Sequence, residues 1–372
     1  MISSKQNLPP PRPQATALPN IPRLLLLTAL LIVTLGVYYR VFLFLREGTA
    51  DAWVIFVVSL VWGIGGVWLL FVLTSSIVDL LSERWRRRVM PWVFVAPALV
   101  LVIYYLLVPT FRTIWLSLFN DDSSRFIGLD NYIYAFSSPN MLESFRNNLV
   151  WIVFGGGLSV VLGLLIAALS DRTNPKFEVL IKTSVFLPMA ISMIGAAVIW
   201  KLVYAYAPGT EQTGLLNALV VTLGGSPVPW LQTRSLNTFL LIVVLIWMQT
   251  GFALVVFSAA IKGIPSELLE AARIDGASEL QSFFKITLPY IQVTLISVTT
   301  TIVIFTLKVF DIVFGMTGGN VGTQVIANEQ FTQMFRNSDY GRGSAIAVVL
   351  LITVLPVVYY NIRDFGKNAK GF

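Results

Sequence analysis

The 372-residue chain contains no cysteine and no histidine. Their absence excludes disulfide frameworks, zinc sites built on thiolate or imidazole, thiol nucleophiles and every mechanism that needs a histidine base. Charge is scarce as well. Asp, Glu, Lys and Arg together make up 12% of the residues, roughly half the share of an ordinary soluble domain. No Gly-x-x-x-x-Gly-Lys-Ser/Thr segment occurs, so the chain lacks a phosphate-cradling P-loop. No convergent Asp/Glu cluster falls at either end of the apolar runs, which leaves a carboxylate-based enzyme without a centre.

Apolar residues are abundant instead, at 56% of the chain. Crossing the hydrocarbon core takes about 20 predominantly apolar residues in a helix. Eight runs meet that length, at about 22–45, 52–80, 91–119, 147–170, 184–206, 237–261, 290–314 and 343–361. Backbone groups in lipid must pair internally, so these runs are predicted helices. The alternation of a membrane β-barrel is missing. The expected fold class is an all-α membrane protein with eight transmembrane helices.

Lys and Arg placement sets the expected orientation. With the N-terminus inside, the inside segments hold Lys5, Arg12 and Arg23; Arg84, Arg86, Arg87 and Arg88; Arg172, Lys176 and Lys182; Lys262, Arg273 and Lys285; and Arg363, Lys367 and Lys370. Both termini are then cytoplasmic. The net charge of +7 is read as this topology signal and not as a nucleic-acid surface, because the basic residues are scattered among spans. Residues 1–22, Pro-rich and polar, are predicted to be a disordered cytoplasmic tail. Residues 23–88 form a predicted transmembrane hairpin, closed by the Arg84–Arg88 cluster, and 89–372 form the remainder.

One polar gap stands out, at 262–289. Pro265 sets an extended approach and Ser266 is placed to cap the helix that follows. Gly276 suits the left-handed residue that ends a helix. Ser278 and Gln281 form a capping-box pattern for a second helix, in which Leu280, Phe283 and Phe284 share one face. Glu270 and Arg273 are spaced to pair at i, i+3. The predicted result is a helix–turn–helix elbow with small and apolar surface, projecting from two spans.

The order Glu270-Ala271-Ala272, Gly276, Ile286-x-Leu288-Pro289 resembles the signature cytoplasmic loop of bacterial ABC-importer permeases, with every signature position filled at the family spacing. From Pro91 onward the chain resembles the six-helix core of carbohydrate-importing permeases of the maltose-transporter type. The stretches Gly128-Leu129-Asp130-Asn131-Tyr132, Phe186-Leu187-Pro188-Met189-Ala190-Ile191-Ser192, Lys308-Val309-Phe310-Asp311 and Thr317-Gly318-Gly319 carry that likeness. Gln249-Thr250-Gly251-Phe252-Ala253 and Gly322-Thr323-Gln324-Val325 look most like α-glucoside permeases, with glucosylglycerol importers of osmoprotection close by. The large outside insert of the maltose-type subunit is missing.

The resemblance implies a six-helix type I importer core preceded by two extra helices, in the bacterial inner membrane. It implies a non-catalytic subunit without a cofactor or metal of its own. ATP would be bound by a separate ATPase dimer, whose cleft receives the elbow at Glu270, Ala271, Ala272, Asp275 and Gly276. A second, homologous permease, an extracytoplasmic sugar-binding protein, membrane lipid and a small sugar are the other implied partners; nucleic acid is not among them.

A sugar path needs amide or hydroxyl groups beside apolar surfaces. Gln249 lies mid-span, sharing a face with Leu245, Met248 and Phe252. Thr306 is the polar residue of the next span, and Ser192 and Met193 lie near Pro188. Bonding of Gln249 and Thr306 to neighbouring helices is the alternative use of such groups. Lys308 and Asp311 are expected to pair at i, i+3 as a structural anchor, and Gly155-Gly156-Gly157 to be a close-packing or bending site. The rival function is a self-sufficient, ion-coupled secondary transporter, for which Lys308 and Asp311 are the only coupling groups on offer.

Overall fold

The computed structural model describes residues 21–209 and 211–368. All but the last two residues of the expected N-terminal tail lie outside these. In chain order the helical runs are α1 (Ile21–Glu47), α2 (Ala52–Asp79), α3 (Glu83–Leu116), α4 (Asp130–Ser137), α5 (Pro139–Ser170), α6 (Pro175–Ala190), α7 (Met193–Val203), α8 (Leu215–Thr222), α9 (Leu236–Lys262), α10 (Ser266–Ile274), α11 (Glu279–Tyr290), α12 (Gln292–Leu307), α13 (Asp311–Met316), α14 (Ile326–Phe331) and α15 (Tyr340–Asn368). Among the described residues no strand forms beyond a single bridge between Phe119 and Phe126.

Six helices, α1, α2, α3, α5, α9 and α15, are each long and apolar enough to cross a bilayer. The two remaining expected spans are broken, which corrects the straight helices read at 184–206 and 290–314. The first is α6 and α7, bent by 102°. Pro188 sits in a tight 3₁₀ turn, Leu187–Ala190, after which Ile191 is extended. Ser192 then restarts the helix, its Oγ accepting from the Gly195 N–H at 3.1 Å. The second is α11 and α12, bent by 73° at Ile291. It stops at Leu307, where the sequence pattern had run on to 314. Lys308 and Phe310 leave the helical region, and a separate short helix, α13, begins at Asp311.

The chain forms two compact units, divided after Thr110. In the first, Tyr38 of α1 meets Trp62 of α2 (ring centroids 5.4 Å) and Phe71 of α2 meets Phe94 of α3 (5.0 Å). Only three residues join α2 to α3, so the two pack as antiparallel neighbours. This unit therefore takes in much of α3, whereas the sequence reading closed the hairpin at residue 88. Of the apolar window of each of α1, α2 and α3, only 6% is buried by protein, which leaves most of that surface for lipid.

The second unit is built around α9, with 56% of its window buried. Gly163 of α5 makes the tightest crossing: a Cβ there would lie 2.3 Å from the Ala253 Cβ and 3.0 Å from the Leu254 nitrogen. Two apolar clusters follow one another along α9, and the second includes this crossing. One gathers Trp151, Leu241, Leu245, Met248, Ile312 and Val313; the other gathers Ala167, Leu254, Phe257, Ile291 and Ile302. Gly155 packs closely as expected, since a Cβ would lie 2.8 Å from a Leu245 methyl. It belongs to a π turn, Trp151–Gly156, within α5.

Candidate coupling elbow and translocation path

The polar gap folds as the expected elbow. α10 starts at Ser266 itself, with Pro265 in the capping position and no side-chain cap. Ser266 is thus the first helical residue and not the cap, because Pro265 (ψ 131°) already makes the extended approach. The end of α10 is a Schellman motif: Ala277 N–H donates to the Ala272 carbonyl at 2.9 Å and Gly276 N–H to Arg273 at 3.1 Å. Gly276 has φ +80°, a conformation that costs an L side chain strain. Ser278 and Gln281 close the capping box, with N–H···O distances of 3.3 and 2.8 Å. Both turns are therefore locally determined, and the elbow is a rigid corner.

Its surface is uneven. Ala272 faces inward, while Glu270, Ala271, Asp275 and Gly276 are exposed. Ile274 is 87% exposed, Leu280 71% and Phe284 61%. Apolar side chains held outward at this corner mark an interaction surface. Phe283 leaves the face expected to join it to Leu280 and Phe284. It is half-buried because a π turn, Phe283–Thr287, adds a residue to the helical repeat. The expected Glu270–Arg273 pair does not form either. Arg273 lies instead 3.7 Å from Glu279, which also takes Arg172 at 3.0 Å.

The path residues divide. Gln249 is 7% exposed and makes no side-chain hydrogen bond to another described residue, so the helix-bonding use of this amide is not seen. Thr250 beside it bonds back to Ile246 at 2.7 Å. Met248 is buried in the same apolar cluster against which Met193 packs, and Phe252 packs on the other cluster. Gly251 brings α6 alongside: a Cβ there would lie 2.5 Å from the Val185 carbonyl oxygen. Gly251, which meets α6 ahead of its 102° bend, lies on the opposite face of α9 from Gln249. Ser192, at that bend, is exposed and committed to capping α7.

Thr306 is 0% exposed; its hydroxyl donates to the Ile302 carbonyl at 2.7 Å and faces Gly156 of α5. Lys308 and Asp311 are a correction. The helix breaks between them, i, i+3 spacing no longer applies, and no carboxylate among the described residues comes within 4.0 Å of Lys308. Both instead line a crevice with Met193, Phe305, Val309, Phe310 and Ile312. The sequence pattern did not single out Phe305, because its exposure depends on where α12 stops.

A polar framework that periodicity did not reveal joins α5 and α9 to the segment 318–333. Asn147 donates to the Gly322 and Gln324 carbonyls at 2.9 and 2.8 Å. Asn148 donates to Leu307 at 3.0 Å and accepts from the Ile326 N–H at 3.0 Å. Asn237 donates to Val321 at 3.0 Å. Glu329, 1% exposed, accepts from Gln324 (2.5 Å), Gln333 (2.7 Å) and the Tyr134 hydroxyl (3.2 Å). Burial, and then the carboxylate of Glu329, raise the Tyr134 phenol above its ordinary range. Gly319 (φ +84°) fits under this framework only because it has no side chain: a Cβ would lie 2.1 Å from Gln324 Oε1.

Together these parts make an exposed corner, a broken span, an amide without a side-chain partner among the described residues, and a loop pinned by buried hydrogen bonds. Residues 159–365 match the family of binding-protein-dependent transport system inner membrane components. The chain is 54% identical over 278 residues to the osmoprotective compounds uptake permease protein GgtC of Synechocystis sp., spanning 74% of this chain and 99% of that protein. It is 49% identical over 290 residues to the alpha-glucoside transport system permease protein AglF of Rhizobium meliloti, spanning 77% of this chain and 86% of that one. Its fold is similar to a chain of a bacterial ABC transporter that imports the acidic polysaccharide alginate, with a TM-score of 0.64 and 24% identity over 76% of this chain and 99% of that chain.

Proposed function

The chain belongs to the binding-protein-dependent transport system inner membrane components, the permease subunits of ABC importers, and on that footing we propose that it carries an α-glucoside or glucosylglycerol. The substrate class is supported by the two relatives, one named for osmoprotective compounds and one for alpha-glucosides. The single observation that carries the mechanism is the uncovered elbow. A rigid turn that holds Ile274 at 87% exposure, flanked by exposed Glu270, Ala271, Asp275 and Gly276, needs a partner, and the ATPase dimer is that partner. The subunit itself is non-catalytic and binds no cofactor; ATP is held on the ATPase.

Closure of the ATP-bound dimer displaces the elbow, and the spans it joins reorient between outward- and inward-facing states. With both termini and the elbow in the cytoplasm, the outer loops receive the sugar-binding protein, and a second permease completes the path. Gln249 supplies the hydrogen-bonding group, and Met248, Phe252 and Met193 supply apolar surface, with Ser192 at the bend. The unpartnered amide of Gln249 supports this reading. Thr306 is the candidate contact of the next span, buried against Gly156 of α5 with its hydroxyl bonded to the Ile302 carbonyl.

The test is purification of the tagged chain from its native membrane in mild detergent, with mass spectrometry of what accompanies it. The expected companions are an ATPase and a second permease, both lost when Glu270 and Gly276 are replaced. Reconstitution with the binding protein should then give ATP-dependent uptake from a panel of glucosylglycerol, sucrose, trehalose and maltose. A chain that purifies alone and moves substrate into liposomes without ATP would overturn the proposal and restore the ion-coupled reading.

A further inference from the structure

At the inner ends of α5, α6 and α9 four charges and a hydroxyl meet, and none of the roles above uses them. Glu178, in the first turn of α6, accepts from Lys182 one turn further on and from Lys262, the last residue of α9, at 2.6 Å. Lys182 also donates to Ser258 of α9, which is 2% exposed. Asp171, where α5 ends, lies 3.6 Å from Lys262 and 4.0 Å from Lys182. Its Oδ1 is closed off from solvent and makes no hydrogen bond. Two carboxylates and two ammonium groups balance in this knot. The Glu178, Asp171 and Lys182 side chains are 13%, 19% and 21% exposed.

The position of Lys262 is what gives the knot leverage. Three residues, Gly263 to Pro265, separate it from α10, and Ile264 among them is buried beside Phe257. A displacement of the elbow therefore reaches Lys262 before any other group of α9. The apolar contact between α5 and α9 runs over Gly163 and Ala253. Small residues permit close approach but present few knobs to resist sliding. The nearby bridge from Arg172 through Glu279 to Arg273 is more than half exposed at each side chain, and pairs of that kind contribute little. Lys262 is itself 52% exposed, but its partners Glu178 and Asp171 are only 13% and 19% exposed, which makes the knot the more shielded linkage.

Resting on the importer reading above, we propose that Lys262 is a positioning residue for transport: through Glu178 and Asp171 it makes the inner ends of α5, α6 and α9 move as one body when the elbow is displaced. Without it the ATPase still closes on the elbow, but the displacement is spent in sliding α9 past its neighbours. The consequence is uncoupling, which differs from loss of assembly and from loss of sugar affinity.

The test uses the full complex, with its ATPase, second permease and binding protein, in proteoliposomes. Binding-protein-stimulated ATP hydrolysis and uptake of labelled glucosylglycerol, sucrose and trehalose are measured in the same vesicles. Lys262→Gln is expected to keep hydrolysis within about twofold of the parent while ATP consumed per sugar taken up rises about fivefold or more, the scale of an ordinary coupling free energy. Lys262→Arg is expected to restore the parent ratio, and Glu178→Gln to repeat the defect from the other partner. An unchanged ratio in assembled Lys262→Gln overturns the proposal, as does failure of both neutral variants to assemble, since the knot is then a folding element. The importer reading stands or falls separately, on whether the parent complex couples ATP to uptake.

Discussion

Three single residues give direct tests of the proposed elbow, sugar path and polar framework. At Gly276 the backbone is left-handed, and a β-branched side chain there would cost about 1–2 kcal/mol. Gly276→Val is expected to loosen the corner, so that the ATPase co-purifies poorly while the chain itself remains in the membrane; immunoprecipitation with and without the substitution checks this. Gln249→Ala is expected to leave assembly intact and to reduce binding-protein-dependent uptake by a factor of about 5–30, the loss of one or two hydrogen bonds to a ligand. Unchanged sugar affinity would remove Gln249 from the path. Glu329 accepts from three donors, and Glu329→Gln turns one of its oxygens into a donor facing donors. The expected result is a loss of about 1–3 kcal/mol of stability, read as a lower midpoint of thermal aggregation in detergent.

At the scale of elements, the two broken spans and the tight α5–α9 crossing matter most. A large side chain at Gly163 would meet the α9 backbone, and overpacking of this kind costs about 1–3 kcal/mol or forces the helices apart. Gly163→Leu is therefore expected to reduce the yield of folded protein, measured as the monodisperse fraction after size exclusion. The helical runs were legible in the sequence because length and apolarity alone identify a bilayer-spanning segment. The elbow was legible for a different reason: a left-handed glycine and a capping box are local devices encoded within a few residues of one another, although the cap expected at Ser266 is not formed. The breaks were harder to read. Pro188 signalled one, but the stop at Leu307 was hidden, since the apolar run continues through Val309 and Phe310 and into the next helix.

For the whole molecule, membership in an importer family and the uncovered elbow describe one part of a larger assembly. The first unit exposes nearly all of its apolar surface to the surroundings of the chain. Removal of residues 1–82 is expected to leave the second unit's helices formed, measured by circular dichroism and by co-purification of the ATPase. A loss of the ATPase would instead tie the hairpin to assembly. Protein burial is concentrated on α9, which runs between the two apolar clusters and ends at the elbow. One helix thereby connects the proposed sugar contacts at Met248, Gln249 and Phe252 to the inner ionic knot at Ser258 and Lys262.

The sequence by itself determined the class of molecule, the membrane setting, the number of apolar runs and the form of the elbow, because each rests on composition or on interactions within a few residues. Only the tertiary structure decided which polar groups are free. Gln249 and Thr306 look alike in the sequence, each a polar residue in an apolar helix. Gln249 makes no side-chain hydrogen bond to another described residue, while Thr306 is buried and returns its hydroxyl to its own backbone. Lys308 and Asp311 keep their spacing in the sequence yet lose their pairing, because the helix between them ends. Glu178 gains its second cation from a residue 84 positions away. Partners so distant along the chain leave no periodic trace, and they exist only once the helices have been brought together.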